Sequence, residues 1–148
     1  MQKIIFSALC LLSCVAAPLE ARSSYATSTY GAYWGIHTSI NLYRCSPGIM
    51  RSQTDIERFI RTLFTYLGLT RNGNPSFVYH YAGNGYSSGL NAFQQGNAHS
   101  DIVVRMDELN NDIYIDFFSC MAYDPYDIAR RARDFFYALD MSYEETYR

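Results

Sequence analysis

Residues 97–120 read NAHSDIVVRMDELNNDIYIDFFSC, and the fold turns on the alternation inside them. From Asp112 to Cys120 the apolar residues Ile113, Ile115 and Phe117 fall on every second position, the period of a strand buried on one side. Upstream, Ile102-Val103-Val104 is a β-branched run suited to a pleated surface, and Asn110-Asn111-Asp112 is a hairpin-type turn between the two strands. Two polar clusters, Asn97-Ala98-His99-Ser100 and Arg105-Met106-Asp107-Glu108, lie on the stretch, and Cys120 closes it. It is the natural place to look for chemistry.

Working outward, Ile36, Thr38, Ile40 and Leu42 alternate with His37, Ser39, Asn41 and Tyr43, which predicts a first strand ending at Cys45. Ser46-Pro47-Gly48 breaks the chain, and Thr54 with Glu57 three residues on forms a capping box. Ile56, Phe59, Ile60, Leu63, Phe64 and Leu67 then recur at helical spacing up to Gly68. Strands follow over Phe77–Tyr81 and Leu90–Gln94, separated by a turn at Gly83-Asn84-Gly85. Asp124 as N-cap and Pro125 in the first turn open a second helix, with Ile128, Ala132, Phe135, Phe136 and Leu139 as its apolar stripe. Ser142 to Arg148 is polar and reads as a frayed tail.

Two segments repeat one unit. Ile40-Asn41-Leu42-Tyr43-Arg44-Cys45 parallels Ile115-Asp116-Phe117-Phe118-Ser119-Cys120, and Asp55-Ile56 with Phe64 parallels Asp127-Ile128 with Phe136. The expectation is an α+β domain of two similar strand-helix halves: a two-layer sandwich, mainly antiparallel sheet, with two helices on one face. Because side chains alternate across a strand, the non-aliphatic parity places Cys45 and Cys120 with Asn41, Asp116, Tyr43 and Phe118 on the face away from the helices. That face reads either as a site wall or as a second packed layer, since free cysteine is among the most buried residue types.

Composition bounds the function. The chain has 148 residues, 49% of them hydrophobic and 16% aromatic, enough for one domain with a real core. Lys3 precedes the apolar run Ile4–Ala17, too short to span a bilayer and right for a signal-peptide core, with a cut near Ala21 because Pro18 follows Ala17. The alternative is a buried first helix. Export to the periplasm or medium is therefore expected; Leu11-Leu12-Ser13 makes Cys14 a poor lipoprotein site. Residues 22–34 read as a loose leader, 35–141 as the domain and 142–148 as the tail.

Loss of residues 1–21 removes Lys3 and Glu20 together and leaves the net charge of −2 unchanged, so no basic field exists for nucleic acid, and no membrane span is expected. Lys3 is the sole lysine, which excludes lysine Schiff-base chemistry in the mature chain. Cys45 and Cys120 remain, to pair in an oxidising compartment or to stay free for catalysis. His37, His80 and His99 lack the short spacing of a zinc motif, so no metal is expected. A strand histidine with a hydrogen bond explains His37 and His80, and a Cys120 nucleophile with a His99 or His80 base has no local signature behind it.

The run Gly35-Ile36-His37 through Cys45-Ser46-Pro47, the capped helix, His80, and Asp116-Phe117-Phe118-Ser119-Cys120 followed by Asp124-Pro125 together resemble the short prokaryotic S-adenosylmethionine decarboxylases. The resemblance implies self-cleavage before a serine in a Glu-Ser-His segment. The serine becomes a pyruvoyl group that forms a Schiff base with the substrate and acts as electron sink, and a cysteine after an aspartate reprotonates the product. Carried onto this chain, Glu-Ser-His falls on Asn97-Ala98-His99, the processing histidine on Val103 and, with a two-residue insertion, the processing serine on Ser88. Cys120 and Asp116 match, Glu108 corresponds to a site carboxylate, and Met106-Asp107 replaces an aromatic-proline pair. Alanine has no hydroxyl to attack the preceding carbonyl, so the pyruvoyl cofactor is expected to be absent.

The resemblance thus implies Cys120, His99 and Ser88 as catalytic positions, Asp116, Glu108, Phe118 and Tyr43 as ligand-binding positions, and Ala98 as the lost cofactor position. Three readings follow. The chain binds or acts on an S-adenosylmethionine- or polyamine-like cation without pyruvoyl, a homodimer being compatible with it. It is a working lyase processed at another serine, such as Ser100, Ser87 or Ser88. Or it is a structural or interaction protein that keeps only the fold.

Overall fold

A computed structural model of the chain describes residues 33–81 and 88–148; the stretch expected to be a signal peptide, most of the expected leader and the expected turn at Gly83-Asn84-Gly85 lie outside them. The elements are β1 (Ile36–Tyr43), α1 (Pro47–Met50), α2 (Gln53–Tyr66), β2 (Ser76–His80), β3 (Gly89–Gln95), β4 (Asp101–Asp107), β5 (Asp112–Ser119), α3 (Pro125–Phe136) and β6 (Asp140–Tyr147). The strands form a single sheet in the order β2-β3-β4-β5-β1-β6, and every neighbouring pair is antiparallel. The order makes β1 parallel to β2, and β5 parallel to β6. Each helical crossover, β1-α2-β2 and β5-α3-β6, therefore joins parallel strands, which only a long connection can do. The two halves meet where β1 and β5 pair from Ile36 opposite Ser119 to Leu42 opposite Ile113.

Alternation drives the layering. Ile36, Ile40 and Leu42 of β1, Ile102 and Val104 of β4, and Ile113, Ile115 and Phe117 of β5 are buried in one core with Ile56, Ile60 and Phe64 of α2 and Ile128, Ala132 and Phe136 of α3. Tyr123 sits at the centre: its hydroxyl exchanges a hydrogen bond with Thr38 Oγ1 at 2.9 Å and reaches the carbonyl oxygens of Ile36 and Phe117.

Several local expectations change. The cap of α2 is Ser52, whose Oγ accepts from the Asp55 amide at 3.2 Å, so the helix starts before Thr54. Pro47 opens the short α1 instead of only breaking the chain. Helix α3 stops at Phe136 because Tyr137 adopts a left-handed conformation (φ 51°), and Leu139 is consequently exposed rather than part of the stripe. The polar tail is strand β6, paired along its length with β1 from Asp140 opposite Tyr43 to Tyr147 opposite Ile36.

Cysteine 45 is corrected most instructively. Arg44 has φ 55°, which flips the alternation, and Cys45 turns into the core with 4% of its surface exposed. Burial pushes its thiol up to about 12, and the nearby Asp112 adds to this. Both cysteines are free. Cys45 follows β1 at the end where its amide donates to Asn111 O, whereas Cys120 follows β5 at the other end, about 24 Å away at the strand rise. No disulfide can bridge that span.

An aspartate clamps the helices together. The Tyr66 hydroxyl donates to Asp127 Oδ2 at 2.5 Å, Arg130 and Arg131 donate to the same carboxylate, and the Arg131 guanidinium lies 3.4 Å from the Tyr66 ring centroid. Partial burial opposes ionisation of Asp127, but these donors outweigh it and carry the carboxyl down to about 2. A depressed folded-state pKa adds stability above the unfolded value, and that stability is lost as pH falls through the folded one. Asp127→Asn should therefore unfold more easily than the parent near pH 7, with the difference closing between about pH 4 and pH 2, as read by chemical denaturation across that range.

Candidate functional site

The β3–β4 turn is built from the first polar cluster. Ser100 N donates to Asn97 O at 3.0 Å across a turn whose central residues, Ala98 and His99, both lie in the left-handed region at φ 52° and 48°. That is the type I′ geometry, which Asn-Gly pairs adopt readily and which costs a side-chain-bearing residue about 1–2 kcal/mol. The surroundings hold it there. Asn97 N donates to Thr70 O, Thr70 N donates to Asn97 Oδ1, and Cys120 N donates to Ala98 O at 3.2 Å. Gly96 makes the fit possible: a Cβ there would lie 2.4 Å from the Phe64 ring and 2.7 Å from Ser100 Oγ.

The turn therefore joins Ala98 and His99 to Cys120 at one end of the sheet. Beside them, on the face away from the helices, Phe118 pairs with His37 on β1 and with Asp101 on β4. The Trp34 ring stands 4.9 Å from the Phe118 ring. Gly35 permits this, since a Cβ there would meet the Phe118 ring at 2.4 Å. One step along the sheet, Asp116 accepts from Ser39 Oγ at 2.7 Å and from Arg105, and His37 Nε2 lies 3.6 Å away.

The two carboxylates of this face are driven apart electrostatically. Burial works against ionisation of Asp116, but the hydrogen bonds from Ser39 and Arg105 and the positive charge of Arg105 hold it below the usual range. Asp101 is pushed up by burial; His37 pulls it the other way, and the charge of Asp116 adds a smaller upward push. An ionised carboxylate beside one that protonates more readily is a pair suited to holding a cation and to moving a proton.

The remaining sequence candidates lie elsewhere. Ser88 and Glu108 come together, Glu108 N donating to Ser88 O at 3.0 Å, but at the β4–β5 end, about 20 Å from the Ala98–Cys120 end along β4. There the Glu108 carboxylate receives the Tyr79 hydroxyl at 3.1 Å and faces Arg51 at 3.5 Å. Tyr43 closes β1 at that same far end, its hydroxyl 3.4 Å from Ser142 Oγ, and His80 is exposed at the end of β2. From sequence, Trp34, Asp101 and Ser39 carry no functional expectation, Arg105 only its place in a polar cluster, and His37 a structural role. The signal was available for all but Trp34, because they share the parity of Asp116 on adjoining strands.

A profile of the S-adenosylmethionine decarboxylase family matches residues 36–148, from the first residue of β1 to the last of the chain. The chain belongs to that family. Among solved structures, the adenosylmethionine decarboxylase from Aquifex aeolicus VF5 is similar at 18% identity with a TM-score of 0.57, covering 78% of this chain and 91% of that one. At that identity the likeness supports the α+β fold alone. No curated protein matches the sequence. The family match takes in β6, so the decarboxylase-like domain extends past residue 141 to the end of the chain. Position 98, where the family resemblance puts the pyruvoyl-forming serine, carries a methyl group, and the hydroxyl two residues on, that of Ser100, is committed to Asn97 O at 2.5 Å. These residues do not fit the group. Among the described residues no helix is long and apolar enough to cross a membrane, and no set of three His, Cys, Asp or Glu side chains is grouped for a metal.

Proposed function

We propose that this is an exported S-adenosylmethionine decarboxylase-family protein that does not process itself and that binds, or acts on, an S-adenosylmethionine- or polyamine-like cation without a pyruvoyl group. The supporting observation is the hydrogen bond from the Cys120 amide to Ala98 O: the two family positions meet at one end of the sheet, and one of them lacks the oxygen on which the chemistry depends. The Trp34–Phe118 pair offers an aromatic surface to an adenine ring or a sulfonium, and Asp101 and Asp116 offer negative charge to the cation. Cys120, two residues beyond Phe118 at the end of β5, is the candidate proton donor. Cleavage of a sulfonium by its own carboxylate needs only positioning, which keeps a lyase or related activity within reach of such a site.

Export supports a role apart from routine polyamine synthesis, whose substrate is cytosolic. A decarboxylase processed at a displaced serine is the second reading. It is weakened at Ser100, because the hydroxyl engages the carbonyl of Asn97 rather than that of His99, the bond it would have to attack. A scaffold without ligand is the third.

Calorimetric titration of the mature protein with S-adenosylmethionine, its decarboxylated analogue and spermidine tests the reading. Binding of at least one is expected, with Asp116→Asn weakening it by about tenfold or more. Affinity should fall as the pH is lowered, beginning above the ordinary aspartate range because Asp101 takes up its proton early. Absence of heat with all three cations leaves only the scaffold reading.

A further inference from the structure

Helices α2 and α3 pack on the sheet side by side and leave a cleft between them. Phe59, early in α2, has its ring 5.3 Å from that of Phe135, late in α3, whereas Tyr66, late in α2, reaches Asp127, early in α3. The helices therefore run in opposite directions, and the stripe of Phe59, Thr62, Leu63 and Tyr66 faces Arg130, Arg131, Asp134 and Phe135 across a cleft of about 280 Å³. Phe59 and Leu63 are buried and make its floor, Phe135 is half-buried in its wall, and Thr62 is exposed at its mouth. At the polar end stands a guanidinium already held in place. Arg131 Nε donates to Asp127 Oδ2 at 2.9 Å, and the group lies over the Tyr66 ring. A guanidinium carries more donors than these partners use, and a side chain ordered before its ligand arrives loses less freedom on binding. The charges around it set the sign of a guest. Arg130, Arg131 and Arg133 face Asp127 and Asp134, three cations against two anions, while Arg58 over the Phe135 ring is matched by Asp55. The balance is one positive charge beside an apolar floor.

We propose that the α2–α3 cleft is a separate ligand site, on the opposite layer from the Trp34–Phe118 face, and that it takes a small monocarboxylate with a flat apolar body. The body lies on Phe59, Leu63 and Phe135, and the carboxylate accepts from the Nη groups of Arg131. Parallel N–H donors of a guanidinium match the two oxygens of a carboxylate, which the point charge of an ammonium does not. The cleft is at the small end of ordinary ligand sites, which limits the body to about two fused rings. Neither the reading of Ala98 nor cation binding on the sheet enters this argument.

The probe is 2-naphthoate, titrated calorimetrically into the folded protein beside neutral 2-naphthamide, which has the same shape without the charge. Saturable binding of the naphthoate with a Kd below about 1 mM is expected, the amide being weaker by about tenfold or more. Thr62→Trp changes an exposed position outside the Asp127 clamp and fills the mouth of the cleft, so it should abolish binding without lowering the melting temperature. Arg131→Lys keeps the charge and loses the fork, and should weaken the naphthoate by about tenfold while leaving the amide unchanged. Arg131 also bonds Asp127, so this variant is checked by thermal melting; if it has lost stability, Thr62→Trp decides. The proposal is overturned if 2-naphthoate does not saturate, if the amide binds equally well, or if Thr62→Trp binds as the parent does.

Discussion

Replacing Phe117 by alanine should cost about 3–5 kcal/mol of stability, a loss large enough to lower the melting temperature by more than ten degrees in a domain of this size. Phe117 is fully buried, with its ring 6.3 Å from that of Phe64 and 5.0 Å from that of Tyr123. It lies in β5 opposite Thr38 of β1, where the two halves join, so the cavity would open between the central strands and α2. Collapse around it is restricted on one side by Tyr123, whose hydroxyl is tied to Thr38 and to the Ile36 carbonyl. Denaturant unfolding with an unchanged slope would confirm a packing loss; a cost under about 1 kcal/mol would mean that Phe117 is not central to the core.

The second large effect is expected at Gly89. A Cβ built there would stand 1.8 Å from the Met106 carbonyl oxygen and 2.7 Å from its carbon, so the obstacle is backbone rather than a side chain that can swing aside. Gly89→Ala must separate the start of β3 from the end of β4 and should cost about 3 kcal/mol. It should also disturb the Ser88–Glu108 end while leaving the Ala98–Cys120 end intact, because the two are about 20 Å apart. Hydrogen exchange would show this as loss of protection confined to residues 105–109 and their partners. Equal loss at Ser100 and Cys120 would contradict the separation of the two ends.

That separation explains which parts of the site were legible in the sequence. Alternation in β1 and β5 and the stripes of α2 and α3 are properties of local residue order, and the architecture follows from them. The repeat of β1 in β5 is equally visible, but its consequence is not. The two strands run antiparallel, so matching residues such as Cys45 and Cys120 are sent to opposite ends of the sheet. The parity argument failed at Cys45 because the left-handed Arg44 has no signature in residue type. Strand β6 was hidden because an edge strand needs few apolar residues. Its Ser142, Glu144 and Glu145 are exposed, and its backbone pairing with β1 does the holding. Asp101 and His37 could have been found by extending the parity of Asp116 to the neighbouring strands, whereas Trp34 joins Phe118 only because Gly35 lets the chain pass close to that ring.

The account depends most on the covalent state of the Asn97–Ala98 bond. Denaturing mass spectrometry of the protein recovered from cells that express the full 148-residue sequence tests it directly. The prediction is one continuous chain spanning residues 97–100, shortened only by removal of the N-terminal segment. Two fragments divided between Asn97 and Ser100, the downstream one blocked by a ketone, would mean that the chain makes its own cofactor after all and that the loss at Ala98 is not a loss of processing.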